Sequence, residues 1–219
     1  MAKRISVCMA TYNGASFIQE QLQSILVTLS DNDEIIISDD RSTDDTLEIA
    51  KSFNDPRIKI HLNNPENKGH IGNFGNAMEK ASGAYIFLAD QDDVWHPDRT
   101  SVVFEALQEN DLVVCDCWVT DGELKIISDS FYSMINSGSG FKKNWIKNTY
   151  LGCCMAFHRH IMEKALPFPK NIVSHDTWIG LIGEVYGTPI FIPEKLHYFR
   201  RHGTNFSQNE EGDAMSEQK

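Results

Sequence analysis

Asp90-Gln91-Asp92-Asp93 places three carboxylates within four residues, directly after the apolar run Tyr85-Ile86-Phe87-Leu88-Ala89. Like charges this close repel one another, and burying them without a cation is costly. A divalent ion that prefers hard oxygen ligands, Mg2+ or Mn2+, resolves the conflict. A short apolar run between Gly83 and an acidic cluster reads as a buried strand whose carboxyl end opens into a site. The same composition also describes a solvated acidic turn, so the neighbouring elements have to decide. Two other strand-like runs end in polar groups. Ile5–Ala10 stops at Thr11-Tyr12-Asn13-Gly14, and Ile35–Ser38 stops at Asp39-Asp40.

The elements that must position these groups alternate regularly. After the first strand, Ile18, Leu22, Ile25, Leu26 and Leu29 recur at helical spacing. After the second, Ser42 or Thr43 can cap a helix carrying Leu47, Ala50 and Phe53, with Asp44 and Asp45 in its first turn. Ile58–Leu62 is a third strand, a helix runs from about Ile71 to Ala81, and Tyr85–Ala89 is the fourth strand. This β-α-β-α-β-α-β order implies an α/β fold with a parallel, doubly wound sheet and right-handed crossovers. Ligands of such sheets lie beyond the carboxyl ends of the strands. Three of the four strands end in chemically suggestive residues, so the first half reads as a nucleotide site.

Beyond Pro97 and a helix to about Glu109 the alternation fades into a smaller, mixed region. Leu112–Cys115, Leu124–Ile127, Cys153–Phe157, Ile190–Ile192 and Leu196–Phe199 read as strands, and Arg159–Leu166 and Asp176–Tyr186 as helices. Ser137-Gly138-Ser139-Gly140 is a mobile loop too short to separate two cores. One domain over 1–219 is expected, with a nucleotide-binding half at 1–110, an acceptor-side half at 111–207 and a flexible polar tail at 208–219. The formal net charge of −11 argues against nucleic acid as a partner. No apolar stretch approaches the length of a membrane span, and no signal peptide is evident. Five cysteines without a C-x-x-C pair fit reduced, buried thiols in a cytoplasmic protein. A peripheral visit to the inner face of the membrane is compatible with all of this.

Six motifs in a fixed order carry a resemblance. They are Cys8–Gly14, Ser38–Thr46, Asn67-Lys68-Gly69 with Asn73, Leu88–Trp95 with Pro97, Gly152-Cys153-Cys154 with His175-Asp176, and Phe199–Asn205. Together they resemble the family 2 glycosyltransferases of the GT-A fold, particularly rhamnosyltransferase-like bacterial members, over the chain to about Ser207. The resemblance implies a Rossmann-like, mostly parallel sheet and inverting sugar transfer. The donor would be a nucleotide-diphosphate sugar, dTDP- or UDP-linked with rhamnose among the sugars, and the acceptor a glycan or lipid-linked molecule of surface polysaccharide assembly.

For single residues the resemblance implies the following roles. Thr11, Tyr12 and Asn13 line the donor, with an aromatic ring able to pack on base or ribose. Asp39 accepts a hydrogen bond from the base, and Asp40 serves the ribose or the loop. Lys68, Gly69, Asn73 and Gln91 lie on the donor side. Asp90 and Asp92 hold the ion that neutralises the leaving diphosphate, and His202 completes the metal shell or binds the diphosphate. Asp93 supports the loop or the acceptor side, and Trp95 packs under the site or against the acceptor, with core packing the favoured role for an aromatic. Asp176 is the catalytic base, in a His-Asp pair where the family usually has Glu-Asp; a helix N-cap is its structural alternative. Arg200 and Arg201 are adjacent, so in an extended strand they point to opposite faces, one toward phosphate and the other toward acceptor or solvent. His158, His160, His175 and His197 are expected to pack in the core or at the surface. Arg41 stands where the family has a small residue, so the path of its loop is open.

Two other classes compete. A nucleotidyltransferase normally carries a Gly-rich basic loop after the first strand, which Thr11-Tyr12-Asn13-Gly14 lacks. A non-catalytic nucleotide-sugar or glycan-binding module fits less well, since Asp90, Asp92, Asp176 and His202 are all retained.

Overall fold

The computed structural model describes residues 4–203; the segment 208–219, together with Thr204 and Asn205 of the last motif, lies outside the described residues. The first half follows the alternation of its apolar periods. It runs β1 (Ile5–Thr11), α1 (Ile18–Leu26), β2 (Glu34–Asp39), α2 (Thr46–Ser52), β3 (Ile58–Leu62), α3 (His70–Lys80) and β4 (Tyr85–Asp90). β1, β2 and β4 are near-continuous apolar runs because both of their faces are covered. α1 turns Ile18, Leu22 and Ile25 into the core. α2 starts later than its capping pattern suggested. Ser42 turns back to Asp39, donating to it at 2.6 Å, while Asp44 accepts from the N–H groups of Ala15 and Thr46 at 3.0 and 3.1 Å.

The second half supplies β5 (Val94–Trp95), α4 (Arg99–Ala106), β6 (Leu112–Thr120), β7 (Ile126–Ser128), α5 (Phe131–Ile135), α6 (Phe141–Ile146), β8 (Met155–His158), α7 (Arg159–Ala165), α8 (His175–Tyr186) and β9 (Pro189–Arg200). These strands extend the parallel sheet instead of forming a separate one. The order is β3-β2-β1-β4-β8-β6-β9-β5, with β7 on β6. β1 is parallel to β2 and β4, β8 is antiparallel to both β4 and β6, and β9 is parallel to β6. Two reversals restore the original direction, so β9 ends at the same edge as β1, β2 and β4.

Several expected boundaries shift for local reasons. Ile190–Ile192 and Leu196–Phe199 belong to one strand, because the sheet absorbs Pro193-Glu194 where the register jumps from Cys115↔Ile192 to Asp116↔Lys195. A proline without an N–H is tolerated at such a bulge. β6 continues past Cys115 because Asp116, buried at that bulge, accepts hydrogen bonds from Ser130 Oγ at 2.5 Å and Tyr132 N–H at 3.0 Å. Gly152–Cys154 is a 3-10 turn, and the strand that follows begins at Met155. All five cysteines are buried and free.

Glu34, at the start of β2, ties three segments together. Its buried carboxylate accepts from Ser6 Oγ at 2.6 Å, from Ser82 N–H and Oγ at 2.8 and 2.7 Å, and from Lys59 Nζ at 2.6 Å. Burial alone would raise this carboxyl, but the bonds from Lys59, Ser6 and Ser82 outweigh it and hold it at about 2, against 4.5 for a free side chain. A depressed carboxylate stabilises the fold above its unfolded pKa, and that stability is lost as pH falls through the folded one. Glu34→Gln is therefore expected to cost on the order of 2–3 kcal/mol at pH 7. In urea titrations the gap to the parent should close as pH falls from 4.5 toward 2; a gap independent of pH would reject the assignment.

Candidate active site

The sheet register brings the sequence motifs to one edge. Thr11 pairs with Asp39 and Ala10 with Asp90, so the ends of β1, β2 and β4 are level. β9 delivers Arg200, Arg201 and His202 to the same edge, and α8 starts there with Asp176 in its first turn. His202 Nε2 lies 2.9 Å from Asp92 Oδ2, joining residues 110 positions apart.

The three carboxylates of the acidic loop have different surroundings. Asp90 ends β4 and is pushed well above the ordinary carboxylate range, first by burial and then by the charges of Asp93, Asp92 and Asp176. Asp92 faces His202. Asp93 is fully buried: its Oδ2 lies 2.7 Å from His197 Nε2, and its Oδ1 accepts the Arg200 N–H at 2.8 Å. His197 Nδ1 in turn lies 2.5 Å from Arg99 Nη1, whose guanidinium stacks over Trp95 at 4.2 Å and donates to the Cys153 carbonyl at 2.5 Å. Asp93 thus locks the acidic loop to β9, which fits its expected supporting role, and Trp95 is core, as expected.

On the donor side much of the polar chemistry is spent within the protein. Asp39 is buried and accepts from Thr11 Oγ1 at 2.8 Å and from Ser42 N–H and Oγ at 2.8 and 2.6 Å. Asp40 accepts from Asn63 Nδ2 at 3.1 Å and Gly69 N–H at 2.8 Å. Gly69 sits at φ 96°, a backbone region that favours glycine. Gln91 and Tyr12 exchange two bonds, Tyr12 N–H to Oε1 at 2.9 Å and Nε2 to the Tyr12 carbonyl at 3.0 Å. Asn13 braces Ser42 and Thr43. Asn73, expected to face the ligand, is buried and donates to the Thr11 carbonyl at 3.0 Å, a strut from α3 to β1. The groups left facing outward are the Tyr12 ring, 56% exposed, and Lys68.

The adjacent arginines separate as the strand geometry requires. Arg200 is buried, pairs with Glu20, donates to the Gly122 carbonyl at 3.0 Å and stacks over Phe17 at 5.0 Å. The Arg201 guanidinium makes no hydrogen bond or ion pair with the described residues; only its backbone N–H is engaged, with Thr120. Of the two, Arg201 is the one whose guanidinium is left unbonded among the described residues.

Asp176 occupies the first turn of α8, whose N-cap position is Ser174. Its Oδ1 accepts from Ser174 Oγ at 2.5 Å and Thr177 N–H at 2.6 Å, while Oδ2 takes no hydrogen bond from the described residues. One oxygen is oriented and the other remains free to accept a proton. His175 beside it is buried against Phe74, with ring centroids 4.2 Å apart, and burial pushes its imidazole well below the ordinary range. A Cβ on Gly152 would fall 2.8 Å from His175 Nε2, so only glycine lets this turn approach the start of α8.

Residues 6–166 match the family model for glycosyl transferase family 2, which is well over half of the chain. The chain belongs to glycosyl transferase family 2. An uncharacterized glycosyltransferase of Nostoc sp. is 27% identical over 216 residues, 92% of this chain and 66% of that protein. The Escherichia coli enzyme WfgD, a UDP-Glc:alpha-D-GlcNAc-diphosphoundecaprenol beta-1,3-glucosyltransferase, is 32% identical over 108 residues, 49% of this chain and 42% of its own. Among solved structures, S. aureus TarS 1-349 in complex with UDP-GlcNAc superposes with a TM-score of 0.77 at 17% identity, over 94% of this chain and 60% of that one. The mannosyltransferase PcManGT from Pyrobaculum calidifontis, in complex with GDP-Man and Mn2+, gives 0.70 at 19% identity, over 95% of this chain and 60% of that one. These likenesses show the GT-A fold. The chain spans less than two thirds of the length of each of these proteins.

Within this family 2 chain the donor set at the edge fits a hard divalent ion: mutually repelling, partly buried carboxylates with an imidazole beside them. Asp90, Asp92 and His202 do not form one of the tightest groups. Among the described residues, the sets of three with ligand atoms within 4.8 Å of one another are Asp90–Asp93–Cys153 and Cys153–Cys154–His197. Neither suits an ion, because Asp93 and both His197 nitrogens are already bonded and the Arg99 cation lies against His197. Sequence reading missed Phe17, whose ring stacks on His202 at 4.4 Å, and His70, which packs edge-on to His175 at 4.7 Å. Phe17 immediately precedes the apolar face of α1, and His70 follows the Asn-Lys-Gly loop, so both stood next to motifs already singled out.

Proposed function

We propose that the chain is an inverting, divalent-metal-dependent glycosyltransferase, moving a sugar from a nucleoside-diphosphate donor to a glycan or lipid-linked hydroxyl in surface polysaccharide assembly. The observation that carries this reading is the convergence of Asp90, Asp92 and Asp176 at one sheet edge, with Asp90 raised first by burial and then by the charges of Asp93, Asp92 and Asp176. Mg2+ or Mn2+ held by Asp90, Asp92 and His202 would neutralise charge on the leaving diphosphate. Tyr12 packs on the base or ribose and Arg201 holds a phosphate oxygen. Asp176 Oδ2 accepts the acceptor's hydroxyl proton as that oxygen bonds to the anomeric carbon. The carbon–oxygen bond to the diphosphate breaks on the opposite face and its electron pair leaves with the diphosphate, so the anomeric configuration inverts. Asp39 and Asp40 serve the donor by holding the loops that shape its site. Residues 1–110 form the donor half and 111–207 the acceptor half of a single domain. Free, buried thiols fit a cytoplasmic location.

The UDP-Glc donor of WfgD and the UDP-GlcNAc bound to TarS support testing uridine donors first. UDP-, dTDP- and GDP-sugars, dTDP-rhamnose among them, should be compared in thermal melts with and without Mn2+ or Mg2+. One donor class should raise the melting temperature only with the ion, by the equivalent of about 2.7 kcal/mol at a hundredfold excess over its Kd. That donor should then release its nucleoside diphosphate when acceptor is added. Pyrophosphate release from a nucleoside triphosphate would reassign the chain as a nucleotidyltransferase. Ion-dependent donor binding without turnover would make it a binding module.

A further inference from the structure

Three loops meet around Asp92, and two of the contacts between them are polar: Gln91 with the Tyr12 backbone, and Asp92 with His202. The third is aromatic. β9 ends at Arg200 and Arg201 N–H still donates to the Thr120 carbonyl at 2.8 Å, so His202 stands just past the sheet. Its ring lies on that of Phe17, with centroids 4.4 Å and planes 24° apart. Phe17 is itself fixed at the start of α1, where its N–H donates to the Gly14 carbonyl at 3.0 Å. The Arg200 guanidinium sits over the same ring at 5.0 Å while pairing with Glu20, one turn further along α1. Gly14 is held in turn: its N–H donates to Thr46 Oγ1 at 2.8 Å, and a Cβ there would fall 2.2 Å from Gln91 Oε1.

These contacts close a circuit. The β1–α1 loop holds the acidic loop through Gln91, and the acidic loop holds the end of β9 through Asp92 and His202. Phe17 then returns the end of β9 to the β1–α1 loop. The stack bears on chemistry because an imidazole binds an ion through a lone pair in the plane of its ring, and outer partners set that plane. A ring packed face to face resists tilting while its edge, with Nε2, stays turned to Asp92. We infer that Phe17 is a positioning residue of the ion site, holding the His202 imidazole in the plane that aims Nε2 at Asp92. This role rests on the ion site proposed above and adds to it a residue whose own side chain has no affinity for a metal.

The test uses the full chain with Mn2+ alone. Free Mn2+ is followed by electron paramagnetic resonance, and the ion-free proteins are melted alongside. Phe17→Leu keeps the apolar bulk and removes the ring face. It should weaken Mn2+ binding about ten-fold, the lower end of the range for losing an outer partner of a metal ligand. Phe17→Tyr returns the ring face and should bind within about two-fold of the parent. In a His202→Ala background no imidazole is left to hold, so Phe17→Leu should change the affinity by less than about two-fold. A residue that only packs α1 would instead lower the ion-free melting temperature and weaken Mn2+ equally in both backgrounds. That result would overturn the assignment, as would parent-like Mn2+ binding by Phe17→Leu. The same cycle separates this role from the ion site beneath it. A parent chain that takes up no Mn2+, or a His202→Ala chain that binds it as well as the parent, removes the proposed ligand set and the role of Phe17 with it. Ion binding that depends on His202 but not on Phe17 removes the positioning role alone.

Discussion

Replacing Asp176 with asparagine is expected to lower transfer by about three orders of magnitude, the range for loss of a positioned general base. Asparagine preserves size, and its carbonyl oxygen can keep the place of Oδ1, accepting from Ser174 Oγ and Thr177 N–H. The nitrogen that then replaces Oδ2 cannot take a proton. Donor binding should change little, since the role proposed for the residue is to take a proton from the acceptor hydroxyl. Stability supplies a second sign. Asp176 is one of the charges that raise Asp90, so removing it relieves repulsion, and the ion-free variant should melt no lower than its parent. A residue that served only to cap α8 would show the reverse, lower stability with transfer intact. Single-turnover transfer together with thermal melts separates the two, and transfer within ten-fold of the parent would remove Asp176 from the mechanism.

Asp92→Asn should produce a different signature. It removes a carboxylate from the ion site while asparagine can still bond His202, which lies 2.9 Å away in the parent. Transfer should fall on the order of a hundred- to a thousand-fold, the scale for losing one preorganised charge-stabilising group. The Mn2+ concentration for half-maximal activity should rise, and donor-dependent stabilisation by the ion should weaken with it. In Asp176→Asn that stabilisation should persist. Asp93→Asn provides the contrast: its carboxylate is bonded to His197 and the Arg200 N–H, so its loss should lower stability more than it raises the metal requirement. Undiminished turnover of Asp92→Asn at the parent's Mn2+ concentration would sink the ion-site assignment.

The two aspartates show how much of the site could be read from the chain. Both follow the same strand, and composition gives them equal claims to an ion. Their separation into a site-facing Asp92 and a buried Asp93 depends on β9, more than a hundred residues downstream, which brings His202 to one and His197 to the other. Arg200 and Arg201 are a more legible case. Extended backbone alternates side chains, so adjacency alone predicted opposite faces, but only the fold shows that Glu20 and Gly122 take Arg200. The donor-side list was legible as a cluster, and the fold adds bonds the chain alone does not show. Asn73, Asp39 and Gln91 stand near the edge as expected, and Asn73 Nδ2, the Asp39 carboxylate and the Gln91 amide also bond Thr11, Ser42 and Tyr12.

By itself the sequence determined the alternation of elements and the edge at which chemistry would gather. Both follow from local periodicity: apolar runs set the buried strands, 3.6-residue spacing sets the helices, and a parallel sheet places strand ends together. It also determined that a buried acidic cluster needs a counter-charge. Tertiary structure alone decided which groups provide one another's partners. The two antiparallel reversals that return β9 to the donor edge are properties of strand order, which no local pattern encodes. The face that α6 buries belongs to the same class, because exposure of Trp145 and burial of Asn144 depend on what Gly138 and Thr149 bring against that helix. Hydrogen bonds and ion pairs between distant segments form only after the sheet has assembled, and the functional identity of each side chain is fixed by those long-range contacts.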